Sequence, residues 1–462
     1  MLSTDTVMEL QCFHTWFADH AHRNAAHIRP IPFAELSNWK FEDTTGNLVH
    51  DSGRFFSVRG LRVRTGRHPD RPWSQPIIDQ SEIGILGILV KEFDGVLHCL
   101  MQAKMEPGNC NGFQLSPTVQ ATRSNYSGVH GGRQVPYVEY FRMPFAHRVL
   151  ADVLQSEQGS WFYRKRNRNM VVEVTDDIEV RDGFCWLSVG QLHELLSVDD
   201  LINMDARSVL ACLPVAGAAL TGVRGFEGEP FRSALLDSFD EDRGALHDAG
   251  HIRSLLADAR VRHEVDACLV GLDEIQGWKM SADRLSHESG RYFEVMAVDV
   301  RTGSREIRGW TQPMIRSRGQ GLAAFLVKRI GGVLHALVNV KAEPGFVDGV
   351  ELAPTVQCTP DDHEGTPASS RPRFLDEVLQ APAESIRFDT VLSDEGGRFF
   401  HTRSRHLVVE VEADGDLTVP DDFCWLTAQQ LNALMRHCHY VNIQARSLTA
   451  CLQSLLREPG RS

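Results

Sequence analysis

The chain has 462 residues, a net charge of −13 and 42% hydrophobic residues. This length predicts at least two domains, since one domain holds roughly 100–200 residues, and the acidic balance disfavours nucleic-acid or anionic-membrane partners. No apolar run approaches the roughly 18 residues of a membrane-spanning helix, and the first residues lack the pattern of a signal peptide. The ten cysteines lack metal-site spacing, so we expect reduced thiols and a cytoplasmic protein.

The strongest feature of the sequence is an internal repeat. Gly53 recurs as Gly290, and the same offset of 237 residues relates Trp73 to Trp310 and Gln120 to Gln357. Such a long period indicates a duplicated domain rather than a solenoid. We therefore predict two repeats, residues 1–222 and 230–462, joined by a stretch at 222–244 whose apolar residues should pack against the protein.

In chain order, the first candidate site is a tryptophan flanked by arginines. The first repeat contains Arg64, Arg71, Trp73 and Gln75, and the pattern recurs in the second repeat. Two arginines and an indole ring are able to bind a diphosphate and to stack on a base or sugar. The alternative is a buried tryptophan with solvated arginines, and the sequence leaves both open.

The next elements are two strands, 83–90 and 96–103, bracketing an Asp-Gly hairpin turn. Because side chains alternate along a strand, His98, Gln102 and Lys104 share one face, with Glu106 next in phase. A lysine and a carboxylate on one face can tune each other's pKa, as acid–base chemistry requires. The second repeat keeps this pattern, as Lys341 and Glu343. The alternative is an ordinary half-exposed strand.

The two repeats diverge after Gln120. The first repeat continues with Arg123, Asn125, Tyr126 and His130, whereas the second continues with acidic residues at 361, 362 and 364. Acidic side chains repel a diphosphate, so we expect the working pocket in the first repeat and a vestigial pocket in the second.

Four helices complete the prediction, at residues 188–196, 206–213, 427–436 and 445–455. Strands mixed with helices, without regular βαβ alternation, indicate the α+β class. The sequence has no GxGxxG fingerprint after a strand, no phosphate-binding P-loop, no GxSxG elbow and no zinc-like spacing. We therefore predict no cofactor and no bound metal.

Three long motifs resemble one known family. WSQPII at 73–78, QAKMEPGN at 102–109 and LSPTVQATRSNY at 115–126 are similar to the NDP-hexose 2,3-dehydratases, and the resemblance covers nearly the whole chain. It implies a tandem duplication of a Nudix-like domain, a homodimer and a metal-independent lyase. The implied substrate is dTDP-4-keto-6-deoxy-D-glucose, dehydrated across C2 and C3 in the deoxysugar pathways of antibiotic producers. The labile 3,4-diketo product would pass to a 3-ketoreductase. The acidic segment at 361–363 departs from the family pattern.

This chemistry assigns roles to the candidate residues. Glu106 is the candidate base for the C3 hydrogen, Lys104 the donor to the enolate, and Tyr126 or His130 the acid for the departing C2 hydroxyl. The candidate substrate contacts are Arg64, Trp73, Gln75, Gln102, Gln120, Arg123 and Asn125. Two alternatives remain: an epimerase or isomerase acting through the same enolate, and a non-catalytic sugar-nucleotide-binding protein.

Overall fold

The computed structural model describes residues 7–66, 70–123, 135–213, 229–241, 243–302, 309–412 and 418–457. Within these ranges there are nine α-helices: α1 (Leu10–Arg23), α2 (Val138–Arg142), α3 (Val189–Leu195), α4 (Met204–Leu210), α5 (Pro230–Asp237), α6 (Ala249–His263), α7 (Leu375–Leu379), α8 (Ala428–Met435) and α9 (Ile443–Ser454). None of these helices is both long enough and apolar enough to cross a membrane.

The strands of the described residues are β1 (Ala26–Ile31), β2 (Trp39–Phe41), β3 (Leu48–His50), β4 (Ser57–Thr65), β5 (Trp73–Asp79), β6 (Gly84–Phe93), β7 (Val96–Met105), β8 (Phe113–Ser116), β9 (Val119–Ala121), β10 (Arg148–Ser156), β11 (Phe162–Tyr163), β12 (Arg166–Glu173), β13 (Phe184–Ser188), β14 (Val265–Val270), β15 (Trp278–Met280), β16 (Arg284–His287), β17 (Phe293–Thr302), β18 (Gly309–Ser317), β19 (Gly321–Ile330), β20 (Val333–Ala342), β21 (Val350–Pro354), β22 (Val356–Cys358), β23 (Ile386–Ser393), β24 (Arg403–Glu410) and β25 (Phe423–Thr427).

Each repeat builds one seven-stranded mixed sheet, and the two sheets match strand for strand. The first has the order β10-β12-β6-β7-β13, with β8 beside β7 and β9 beside β6. The second has the order β23-β24-β19-β20, with β21 and β25 beside β20 and β22 beside β19. The only parallel pair of each sheet is also equivalent, β6 with β12 and β19 with β24. The α+β duplication predicted from the sequence is therefore present.

Two smaller sheets exchange strands between the repeats. β1 of the first repeat pairs with β17 of the second, whereas β14 of the second repeat pairs with β4 of the first. Phe162 and Tyr163, in β11, extend the same small sheet by pairing with β5. The repeats are consequently interlocked, and the sequence boundary between them is not a boundary in space.

Helices α4 and α9 pack against each other between the repeats. Arg207 and Arg446 are fully buried there, and each donates across the repeat boundary, to Ser447 Oγ at 2.7 Å and to Ser208 Oγ at 2.9 Å. Arg207 also donates to the carbonyl of Ser393 at 2.6 Å. A buried arginine is tolerated when its donors are all paired, so this interlock fixes the end of β23 against α4.

Most predicted elements are confirmed, with shifted bounds. The hairpin turns at Asp94-Gly95, both with positive φ (49° and 80°), as a type I′ turn requires. The helices predicted from 206 and 445 begin earlier, because Asn203 and Asn442 are the residues that cap them. The stretch joining the repeats packs as expected in its described part, where Leu235 of α5 is fully buried.

Candidate active site

The polar face of β7 is open only at its C-terminal end. His98 and Leu100 are buried, and Leu100 packs in a cluster with Phe141 of α2. Beyond them, Lys104 Nζ lies 3.3 Å from Glu106 Oε1 and donates to the carbonyl of Gln120 at 3.2 Å. Of the predicted polar face, only the part around Lys104 and Glu106 therefore forms a candidate site. We call this part the Lys104 pocket.

An amide relay holds this pair in place. Gln120 Nε2 donates to Glu106 Oε1 at 2.9 Å, and Asn203 Nδ2 donates to Gln120 Oε1 at 3.0 Å. Asn203 is itself fixed, because its Oδ1 caps α4 by accepting from the N–H of Ala206. The other carboxylate oxygen of Glu106, Oε2, is buried and has no hydrogen-bond partner.

The second repeat reproduces the network as the Lys341 pocket. Lys341 donates to the carbonyl of Gln357 at 2.7 Å, Gln357 donates to Glu343 Oε1 at 2.8 Å, and Asn442 donates to Gln357 at 2.7 Å. Burial raises the pKa of Glu343, opposed by the nearby Lys341. The lysine–glutamate pair alone therefore does not distinguish the two pockets.

Each pocket is completed by a loop of the other repeat. The N–H of Gly108 donates to the carbonyl of Gly396 at 2.7 Å, and the N–H of Gly345 donates to the carbonyl of Gly159 at the same distance. A Cβ at Gly108 would lie 1.7 Å from the Phe399 oxygen, so only glycine permits this approach. Residues 395–398 consequently border the Lys104 pocket, and residues 158–161 border the Lys341 pocket.

The predicted tryptophan site lies in the other pocket from the predicted lysine. Trp73 and Gln75 line a cavity of about 590 Å³ together with Lys341 and Gln357. Gln75 donates to the carbonyl of Ser160 at 2.7 Å, on the loop that borders this cavity. The expectation that Trp73 and Gln75 share a pocket with Lys104 is therefore wrong, because β5 is held by the loop at 158–161, which docks on the second repeat through the N–H of Gly345.

Trp310 and Gln312 take the corresponding place beside the Lys104 pocket. Trp310 Nε1 donates to Gln312 Oε1 at 2.8 Å, and Gln312 Nε2 donates to the carbonyl of Gly397 at 2.7 Å. The same relay links Trp73 to Gln75 at 3.2 Å. Each tryptophan thus stands next to the loop that completes its pocket.

The remaining predicted residues are less central. Arg64 is an exposed residue of β4 opposite Asp266 of β14, and it does not line the cavity. Gln102 is half-buried on β7, two residues before Lys104, and Arg123 is exposed just after β9. Asn125, Tyr126 and His130 lie outside the described residues. Asp362, from the acidic segment, does line the Lys341 cavity and accepts from the N–H of Tyr292.

The sequence reasoning missed a cluster of carboxyl groups in the Lys104 pocket. Glu395 reaches it from the second repeat, and Asp205 reaches it from the first turn of α4. Burial, and then the nearby Glu106, raise the pKa of Glu395 to about 8. Burial, followed by Glu157 and Glu106, raises the pKa of Asp205 well above its usual value. Glu395 is therefore mainly protonated at neutral pH, and the pKa of Asp205 is displaced in the same direction.

A signal for these residues was present in the sequence as a difference between the copies. Glu395 and Asp205 correspond to Gln158 and Gln444 in the Lys341 pocket, and Arg398 corresponds to Trp161. These positions lie outside the segment after Gln120, which is where the difference between the repeats was interpreted, and they are informative because the repeats differ there as well.

Within the described part of the chain, one group of soft ligands has the proximity that a metal ion needs. One ligand atom each of His247, His251 and Cys424 lies within 4.8 Å of the others, at the start of α6 and on β25. None of the three lines the cavity of the Lys341 pocket.

The fold and the two pockets together indicate the class of protein to which the chain belongs. A duplicated α+β chain with paired lysine–glutamate pockets, one of which holds two carboxyl groups of raised pKa where the other holds amides, is suited to acid–base chemistry on a small polar ligand. The family model for NDP-hexose 2,3-dehydratase matches residues 10–213 and again 249–452. The chain belongs to this family.

Curated relatives that carry the name of this activity align with the chain over almost their full length. The chain is 50% identical to a dTDP-4-dehydro-6-deoxy-alpha-D-glucopyranose 2,3-dehydratase of Saccharopolyspora spinosa, covering 96% of this chain and 91% of the relative. Enzymes of the same name from Amycolatopsis orientalis and Streptomyces violaceoruber are 49% and 46% identical, covering 99% and 96% of this chain and 93% and 97% of the relatives.

Proposed function

We propose that the protein removes water across C2 and C3 of dTDP-4-keto-6-deoxy-D-glucose to give the dTDP-3,4-diketo-2,6-dideoxy sugar. The observation that carries the proposal is identity of 46–50% to three dehydratases named for this substrate, along nearly the whole chain. The Lys104–Glu106–Gln120 network supplies the groups that such a reaction needs.

The mechanism begins at C3, whose hydrogen is acidic because it lies next to the C4 ketone. Glu106 takes this proton through its unpartnered Oε2, while Gln120 and Lys104 hold Oε1. The electron pair forms the C3–C4 double bond, and Lys104 is the candidate donor to the resulting C4 oxyanion. Return of these electrons expels the C2 hydroxyl as water, and the enol product tautomerises to the 3,4-diketone.

We assign this reaction to the Lys104 pocket. Glu395 and Asp205 are carboxyl groups that can exchange protons, whereas Gln158 and Gln444 at the matching positions of the Lys341 pocket cannot. Asp362 also places negative charge on the wall of the Lys341 cavity, opposing a diphosphate. Trp310 and Gln312 then serve the reacting sugar nucleotide, and Trp73 and Gln75 remain candidate ligand contacts of the Lys341 pocket.

The finer features that the family resemblance implies belong to the same proposal. Each repeat's mixed sheet flanked by helices is compatible with a Nudix-like domain, and the enzyme would act as a homodimer in the cytoplasm. Catalysis would be metal-independent, because the ketone already acidifies the C3 hydrogen. Its product is a reactive diketone, so a 3-ketoreductase would consume it during deoxysugar biosynthesis for antibiotics.

The test is incubation with dTDP-4-keto-6-deoxy-D-glucose, with and without an added 3-ketoreductase and NADPH, followed by NMR and mass spectrometry. With the reductase, the proposal predicts that a 2-deoxy sugar nucleotide accumulates that has lost one water and gained two hydrogens at the NADPH-dependent step. Without the reductase, the diketone that has lost only water should not accumulate. An isomer of unchanged mass would instead identify an epimerase or isomerase. Tight binding without turnover would identify a non-catalytic binding protein.

A further inference from the structure

We propose that Glu395, which the second repeat inserts into the first repeat's Lys104 pocket, is the acid that protonates the departing C2 hydroxyl. This rests on the proposed dehydratase function and goes beyond it, because it makes the reacting site a joint product of both repeats. It also replaces Tyr126 and His130 in the role that the sequence suggested for them.

The location of Glu395 is fixed from both repeats. Ser393, two residues before it, is held by Arg207 of α4, and its Oγ donates to Gln114 at 2.8 Å. Gly396, directly after Glu395, accepts from the N–H of Gly108, two residues beyond Glu106. The Glu395 loop is thus anchored on each side to the first repeat.

Glu395 and Glu106 face the same small glycine. A Cβ at Gly397 would lie 2.3 Å from Glu395 Oε1 and 3.6 Å from Glu106 Oε1. The Oε1 atoms of both carboxyl groups therefore lie against the same point of the backbone, and the absence of a side chain at Gly397 is what lets the Glu395 carboxyl occupy this position beside Glu106. An acid and a base this near each other can serve adjacent sugar carbons such as C2 and C3.

Three carboxyl groups that interact electrostatically with one another here each have an unsatisfied oxygen. Glu106 Oε2, Asp205 Oδ1 and Glu395 Oε2 are each buried without a hydrogen-bond partner. Buried polar atoms are normally paired, and exceptions concentrate at functional sites. The Lys341 pocket shows the same three orphans, on Glu343, Gln158 and Gln444. Both pockets therefore present the same arrangement, but an amide cannot release a proton to a leaving hydroxyl.

Orientation and proton content favour Glu395 over Asp205 as the donor. The N–H of Gly397 donates to Glu395 Oε1 at 2.9 Å, which leaves Oε2 to carry the proton. A pKa of about 8, raised by burial and then by Glu106, keeps that proton in place at neutral pH. Asp205 is more deeply buried, with 3% of its surface exposed, so we assign it a structural role beside the other two carboxyl groups rather than contact with the substrate.

The step balances without an added reagent. The C3–H bond breaks and its proton goes to Glu106. The C2–O bond then breaks while Glu395 supplies the proton that completes the water molecule. The enol gains a proton at C2 and loses one from the C3 hydroxyl. Glu106 finally returns one proton and Glu395 regains one through solvent, so the net change is the loss of water.

Deuterium exchange separates the two roles. In D₂O, exchange of the C3 hydrogen needs only the base, whereas loss of water also needs the acid. We expect Glu395→Gln to keep C3 exchange within about tenfold of wild type while water loss falls by about 10²–10⁴-fold. Glu106→Gln should lose both. The Glu395→Gln side chain matches Gln158 of the Lys341 pocket, so the loop should accept it, and thermal unfolding verifies this.

The comparison variant is Asp205→Asn, which should change exchange and water loss by the same factor. Three results would overturn the proposal. The first is a Glu395→Gln enzyme that dehydrates the substrate at the wild-type rate, and the second is a Glu395→Gln enzyme in which C3 exchange and dehydration are abolished together. The third is that only Asp205→Asn retains C3 exchange while dehydration falls. A wild-type enzyme that performs neither exchange nor water loss would refute the proposed function itself, which is a different outcome.

Discussion

Replacement of the two equivalent glutamates, one at a time, tests which pocket reacts. Glu106→Gln keeps an oxygen that accepts from Gln120, but the amide cannot take a proton. We therefore expect kcat to fall by about 10²–10⁴-fold, or about 3–5 kcal/mol of transition-state stabilisation. Because the side chains of Lys104 and Glu106 are only 18% and 8% exposed, loss of their ion pair should also destabilise the fold, by up to about 3–5 kcal/mol.

Glu343→Gln is the matched control, because Glu343 makes the same contacts to Gln357 in the Lys341 pocket. Its kcat should stay within a few-fold of wild type. The assay is turnover of both variants with 3-ketoreductase in excess, accompanied by thermal unfolding. The reverse ranking would place the reaction in the Lys341 pocket and refute the argument from the carboxyl groups of the Lys104 pocket.

Four further outcomes are expected. Gly108→Ala should destabilise the protein by at least about 3 kcal/mol in urea unfolding, because the new Cβ would lie 1.7 Å from a backbone oxygen. The control is Gly190→Ala, whose nearest neighbour lies at 3.8 Å and which should be neutral or stabilising. Equal effects of the two substitutions would argue against the docking of the repeats. Arg123→Ala should weaken dTDP binding in calorimetry by about 1.5–3 kcal/mol if it makes a charge-assisted contact, and unchanged affinity would remove it from the site. Turnover should survive excess chelator, whereas activity lost to chelator and restored by magnesium would overturn the metal-free mechanism. Burial raises the pKa of Glu351 from 4.5 to about 7. The contribution of this carboxyl group to the free energy of unfolding therefore falls as pH rises from about 4.5 to 7. Glu351→Gln should be more stable than wild type at pH 8 but not at pH 5, and an equal difference in stability at both pH values would contradict this.

Local features of the fold were readable from the sequence because their causes are local. The Asp94-Gly95 turn, the alternation along β7 and the cap at Ser188 each follow from residue type within a few positions. The repeat was also readable, since it needs only the comparison of one half with the other.

The pairing of the repeats was not readable in this way. Nothing local in β1 or β14 shows that each strand leaves its own repeat, because the pairing depends on contacts far apart in sequence. The same holds for the loops at 158–161 and 395–398, each of which docks on the other repeat and links a tryptophan-bearing strand to that repeat's lysine. This docking explains why Trp73 was grouped with Lys104 although it lies beside Lys341.

The candidate site was half predictable for the same reason. Lys104 and Glu106 were found because they are in phase along and just beyond β7, and Gln120 was found because its motif recurs in both repeats. Glu395 was not found, because it enters the pocket from a loop almost 300 residues away. Only the folded chain brings these groups together, although the Glu395/Gln158 difference between copies pointed to this position.

The central claim is that both repeats build one reacting site around Lys104. The most direct measurement is a crystal structure of the Glu106→Gln enzyme with dTDP-4-keto-6-deoxy-D-glucose bound. The account predicts that the sugar lies in the Lys104 pocket, with C3 facing position 106 and the C2 oxygen within hydrogen-bond distance of Glu395. A sugar bound with C3 against Glu343, and with the Lys104 pocket closed to it, would contradict the account.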